Sequence, residues 1–184
     1  MRERPGGLVT IPDSPAASRP LAGALTGEGR DLALTRTVPA PARRIWEHVS
    51  RSDLLATWYG TYTGDPATGS VEVTMTAEPG EASTSEYTIH ACEPERRVTV
   101  SSSMGEDSWR LSLELGAAAD GPGSTQVVLR HHDVPREMLQ HVGPGWEWYL
   151  DRLIGAVTGG DIPGKDVWDS HYMVLSEAYG ALAG

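Results

Sequence analysis

Gly143-Pro-Gly-Trp-Glu-Trp-Tyr-Leu-Asp-Arg-Leu-Ile-Gly-Ala-Val157 is the stretch whose reading decides the fold. Trp146, Tyr149, Leu150, Leu153, Ile154 and Val157 recur at helical spacing and form one broad apolar face. Glu147, Asp151 and Arg152 fall opposite, on the side expected to meet solvent. Pro144 suits a first helical turn, because its missing N–H would lack an intrahelical partner there, and Gly159-Gly160 stop the helix. So broad an apolar face needs a large apolar partner.

That partner lies upstream. From Gly60 to His132 the period falls to two, broken by turn-rich clusters at Gly64–Gly69, Glu78–Ala82, Glu93–Glu95, Met104–Asp107 and Ala118–Gly123. Five strands result, and the alternation gives them one inner face: Val71, Val73 and Met75; Tyr87 and Ile89; Val98 and Val100; Trp109, Leu111, Leu113 and Leu115; Val127, Leu129 and His131. Short connections make successive strands antiparallel neighbours. Another strand is expected at Asp31–Val38, closed by Pro39 and Pro41. Between Ala42 and Trp58, Ile45, Trp46, Val49, Leu54, Leu55 and Trp58 keep helical spacing, interrupted at Ser50-Arg-Ser-Asp53, where Ser or Asp can cap a new helix. The fold class that follows is α+β: a curved antiparallel sheet wrapped around a long C-terminal helix, with two short helices after the first strand.

The flanks differ in character. Residues 1–29 are crowded with Pro, Gly, Ala and Ser and lack either hydrophobic period, so they read as a flexible arm, or at most an extended strap, before a domain at 30–160. Residues 161–184 read as an amphipathic helical extension, with Trp168, Tyr172, Leu175 and Tyr179 on one stripe of Asp166–Tyr179. The stripe must dock on something: its own domain, a second copy in a homodimer, or a pocket that it covers.

A chain of 184 residues fits one domain with a complete core. The net charge of −10, with Lys165 as the sole lysine, disfavours nucleic acid or an anionic bilayer as partner. One cysteine, Cys92, permits neither an intramolecular disulfide nor a Cys-based metal cluster. No run of roughly 7 to 15 apolar residues marks a signal peptide, and none is long enough to span a bilayer. The expectation is a cytoplasmic protein.

Val38-Pro-Ala-Pro-Ala-Arg-Arg-Ile-Trp46, Trp58-Tyr-Gly60, Thr125-Gln-Val-Val-Leu-Arg-His131 and Gly145-Trp146 with Leu150 and Leu153 together resemble the SRPBCC, or START-like, superfamily, in the branch named after the activator of the heat-shock ATPase chaperone. Order and spacing match across residues 31–158. The resemblance implies a helix-grip fold, similar to polyketide cyclases and the birch pollen allergen, with a cavity between sheet and C-terminal helix. Members bind lipids, hormones, polyketides or other hydrophobic molecules, a minority are cyclases, dehydratases or hydrolases, and others bind partner proteins. The residues with which co-chaperones stimulate the ATPase are not recognisable in this sequence.

Placed in that fold, Trp146, Tyr149, Leu150 and Leu153 of the helix would face Tyr87, Trp109, Leu111, Val127 and His131 of the sheet, with Trp58 near the mouth. The alternative is that they simply fill the core. The chain has no Phe, so all its aromatic rings except those of His belong to Trp or Tyr and carry a polar handle, which suits a flat, partly polar ligand. His131, on the inner face, is the candidate acid or base if the domain is an enzyme, with Tyr87 or Tyr149 orienting a carbonyl; His132 and His90 fall on the other face. That opposition also argues against one metal ion shared by His131 and His132. No phosphate-cradling glycine motif or nucleophile elbow is present, and no cofactor is implied. Binding of a small hydrophobic molecule is the leading expectation, with an enzyme using the same cavity or a protein-interaction domain as alternatives.

Overall fold

The computed structural model describes residues 20–184, apart from 79, 105, 106 and 120. Eight strands form one antiparallel sheet: β1 (Gly23–Thr26), β2 (Asp31–Val38), β3 (Gly60–Thr63), β4 (Ser70–Met75), β5 (Ser83–Glu93), β6 (Arg97–Met104), β7 (Asp107–Ala117) and β8 (Thr125–His132). Their order across the sheet is β1-β2-β8-β7-β6-β5-β4-β3. The helices are α1 (Ala42–Ser50), α2 (Ser52–Leu55), α3 (Leu139–Thr158) and α4 (Ser176–Ala181). The helix-grip architecture expected from the sequence is present, with α3 lying against the concave face.

The alternation in the strands does what period two predicts. Leu32, Leu34 and Val38 of β2 and Val127, Leu129 and His131 of β8 are buried, as are Leu111 and Leu113 of β7. Two strands escaped the sequence reading. β3 holds only four residues, too few to show a period, and β1 lies in the segment read as an arm or strap, pairing Gly23–Thr26 with Asp31–Leu34 across a tight turn. Residues 1–19 of that arm lie outside those described.

Two short helices follow β2 as expected, but neither Ser nor Asp caps the second. Arg51 takes the cap position without a side-chain hydrogen bond and pairs with Asp53 at 2.7 Å. Ser52 instead grips β3: its hydroxyl donates to the Tyr62 carbonyl and accepts from the Tyr62 N–H, both at 2.8 Å.

α3 begins at Leu139, so Pro144 lies inside the helix rather than in its first turn. A proline there deprives the carbonyl four residues earlier, that of Gln140, of its intrahelical donor. The Ser176 hydroxyl, at the start of α4, donates to that carbonyl at 2.8 Å. The proline is thus tolerated because a neighbouring element supplies the missing donor.

The largest correction concerns the outer side of α3. Glu147, read as solvent-facing, is wholly buried, and Trp148 beside it is equally enclosed. The extension responsible is not one helix but a wide π turn, Trp168–Tyr172, between two tight 3₁₀ turns, Lys165–Val167 and Met173–Leu175, leading into α4. Its stripe packs on the chain's own core: Tyr172, Leu175 and Tyr179 are buried. Glu147 accepts hydrogen bonds from the Tyr179 hydroxyl at 2.7 Å and the Ala22 N–H at 2.8 Å, and forms an ion pair with Arg36 of β2. Asp151 stands 3.7 Å from the same guanidinium and accepts from the Tyr172 hydroxyl at 3.0 Å. Arg152 is likewise half-buried, donating to the carbonyls of Trp58 and Pro163.

Candidate functional site: two cavities between sheet and helix

The inner face of α3 is built differently. Between it, the sheet and the α1–α2 corner lies an apolar cavity of about 190 Å³, lined by Trp58, Tyr59, Tyr87, Leu111, Trp146 and Leu150 among others. A second cavity, of about 280 Å³, lies toward the extension and is lined by Trp109, Tyr149, Glu78, His141, Lys165 and Trp168. Tyr59, Tyr87 and Trp146 line both. They form the layer where the two spaces meet.

Of the residues expected at the site, Trp58, Leu111 and Leu150 line the first cavity, Trp109 and Tyr149 the second, and Tyr87 and Trp146 both. Val127 and Leu153 are buried but line neither. The bland reading of those two, as core, is what the packing shows.

His131 also lines neither cavity. Its ring lies 4.8 Å from that of Trp109, and its Nδ1 accepts from the Trp146 indole N–H at 3.3 Å. Burial lowers its pKa from 6.5 to about 4, so the imidazole is neutral at pH 7, as an acceptor at Nδ1 requires. It positions two tryptophans. An acid–base role would need contact with a cavity, where Trp109 and Trp146 rather than His131 form the wall. His132, on the opposite face, is not simply solvated: it sits 2.7 Å from the Ser112 hydroxyl and 3.3 Å from Asp31.

Tyr59 is the residue the sequence reading passed over, although it stood in the quoted Trp58-Tyr-Gly60. The signal was the glycine. A Cβ on Gly60 would fall 2.2 Å from the Thr74 carbonyl oxygen, so only glycine lets β3 run this close to β4. The Tyr59 carbonyl in turn accepts from the N–H groups of Thr76 and Ala77. That anchors the backbone from which the Tyr59 ring projects, 5.1 Å from the ring of Tyr149. Its hydroxyl meets that of Tyr87 at 2.7 Å. Burial, and then the neighbouring Tyr87, push the Tyr59 pKa well above 10, so it stays protonated. Tyr149 donates to Glu78 at 3.0 Å; its pKa also rises well above 10, chiefly from burial and then from that carboxylate.

A family model described as Activator of Hsp90 ATPase homolog 1-like protein matches residues 39–158, which include the α1–α2 corner, strands β3 to β8 and α3. The chain belongs to that family. Among solved structures, CalU16 from Micromonospora echinospora superposes with a TM-score of 0.67 at 24% identity, covering 92% of this chain and 99% of its own. The protein encoded by BPP1335 of Bordetella parapertussis gives 0.66 at 20% identity, covering 87% and 91%. DynU16, from the dynemicin biosynthetic locus, gives 0.61 at 19% identity, over 72% of this chain and 49% of DynU16. These likenesses establish the helix-grip fold of this member of the Hsp90-activator-like family. No curated protein matches the chain. Among the described residues, no helix is long and apolar enough to cross a membrane.

Proposed function

We propose that the protein binds a small, largely apolar, ring-bearing molecule between the sheet and α3. The observation that carries this reading is the first cavity, an apolar space of about 190 Å³ that runs from the exposed Ser50, Pro66 and Cys92 in between the sheet and α3. Protein interiors are close-packed, and a void of roughly 150 Å³ forfeits several kcal/mol yet holds one benzene. Room for one or two rings, walled by Trp and Tyr, is the composition of a ligand site. The family's habit of enclosing hydrophobic molecules agrees with it. An enzymatic reading through His131 lacks support, because that imidazole is walled off from both spaces.

Naphthalene titrated into the protein tests the proposal, read by quenching of tryptophan fluorescence, since Trp58 and Trp146 line the cavity. One-to-one saturable quenching is expected. Val100→Phe, which fills the cavity from the sheet side, should weaken binding by about tenfold or more while the folded baseline persists. No saturable binding by the unaltered protein, or binding untouched by Val100→Phe, would sink the reading.

A further inference from the structure

Tyr59 and Tyr87 are each more than nine-tenths buried, and each lines both cavities. Among the described residues, the hydrogen bond recorded for either hydroxyl is the one they share. Two phenols carry two protons and several lone pairs, yet one shared bond uses one proton. The second O–H is held in a nearly dry setting, at the junction of two spaces, with a donor to offer.

Trp146 lies between the cavities, and its indole N–H is already given to His131. The Tyr149 hydroxyl already donates its hydrogen bond to Glu78. His131 is neutral near pH 7 and lines neither cavity. Glu78, His141 and Lys165 all stand in the second cavity and none lines the first. The polarity of the whole space therefore has a definite order: apolar walls in the first cavity, two phenolic hydroxyls at the junction, and charged groups only in the second.

We infer that the two cavities are halves of one elongated site, whose ligand carries an apolar ring at one end and a carbonyl or equivalent acceptor oxygen in its middle, placed between the Tyr59 and Tyr87 hydroxyls. The inference rests on the ligand-binding reading above and specifies its ligand class. A ligand spanning both halves separates the two hydroxyls. A carbonyl oxygen with two lone pairs then accepts from both, so one hydrogen bond is exchanged for two. A methylene at the same place leaves two buried hydroxyls without a partner, which is the costly case for a polar group away from water. Selection for the oxygen therefore arises at the tyrosine pair rather than at the apolar walls.

Deoxybenzoin and bibenzyl, which share a two-ring skeleton and differ by a ketone in place of a methylene, separate these terms, with naphthalene as the short probe. The full-length protein should bind deoxybenzoin about tenfold or more tightly than bibenzyl. Tyr59→Phe and Tyr87→Phe each keep the ring and remove one donor, and each should cut that preference to about threefold, chiefly because bibenzyl then breaks no hydroxyl pair and binds more tightly. Circular dichroism checks that each variant folds, and if one does not, the other carries the test. Equal binding of the two long probes, or a preference that neither substitution diminishes, overturns the inference. Binding of naphthalene with neither long probe overturns the joined site but leaves the first cavity as a ligand site. Failure of all three probes removes both readings.

Discussion

The two sides of α3 solve opposite problems. Its outer side is packed until nothing more fits: a Cβ on Gly143 would lie 2.3 Å from the Tyr179 ring, and one on Gly155 would lie 2.3 Å from the Asp161 carbonyl oxygen. Its inner side leaves two cavities between large aromatic rings. Polar groups divide the same way. On the outer side Glu147, Arg36, Asp151, Tyr172 and Tyr179 interlock, whereas on the inner side the Tyr59 and Tyr87 hydroxyls have each other. Voids forfeit packing energy. A domain that keeps voids on one side of its central helix must draw its stability from the other, and here that other side includes a C-terminal extension.

The sharpest way to break this contrast is Glu147→Ala. It takes the buried carboxylate from the Arg36 guanidinium, leaving only Asp151 at 3.7 Å, strips the acceptor from the Tyr179 hydroxyl and the Ala22 N–H, and should cost about 3–5 kcal/mol in urea unfolding. If the cost proves below about 1 kcal/mol, the outer side is not where stability resides. The inner side has its own signature in pH. His131 has a folded pKa of about 4 against an ordinary 6.5, so between those values the unfolded chain binds the extra proton. Stability should be complete above pH 6.5 and fall as the pH drops toward 4, by up to about 3 kcal/mol, a decline that His131→Phe should flatten. Denaturant midpoints across that range measure it.

Gly143→Ala puts a methyl group against Tyr179 and should cost about 1–3 kcal/mol, against a rise in helix propensity that favours alanine. Ser176→Ala leaves the Gln140 carbonyl without its replacement donor and should cost about 1 kcal/mol. The smallest effect on folding is expected from Val100→Phe on the inner side, within about 1 kcal/mol, because the added atoms enter space already open. Thermal unfolding of the three side by side would show whether added bulk is tolerated on the cavity side and rejected on the other.

Much of this architecture was legible in residue spacing. β2 runs over the same residues that its alternation marked, the two-helix reading of 42–58 holds, and Trp58, Leu111, Trp146 and Leu150 do face the cavity space. What escaped was whatever depended on a distant segment. Glu147 looked solvent-facing because helical period assigns faces only relative to each other, and nothing local announces that α4 will cover the second face. Pro144 looked like a first-turn residue because the donor that rescues Gln140 comes from Ser176. Cys92 was unassigned because the register shift between Ile89 and Ala91 interrupts the alternation, which brings Cys92 to the edge of the first cavity. The Tyr59–Tyr87 contact joins the turn between α2 and β3 to the middle of β5, and no periodicity relates them.

The sequence by itself determined the class of fold, because periods of 2.0 and 3.6 and the turn residues between them are local properties that dictate which faces must be buried. The absence of Phe likewise determined that any Trp or Tyr ring walling an enclosed space would bring a polar tip with it. Only the tertiary structure decided where space remains. Cavities are small differences between the shapes of surfaces brought together from far along the chain, and a shift of one helix by a side chain's width would close them. The same holds for charge: Glu147 is buried and His131 neutral because of what packs over them, and that is a property of the assembled fold.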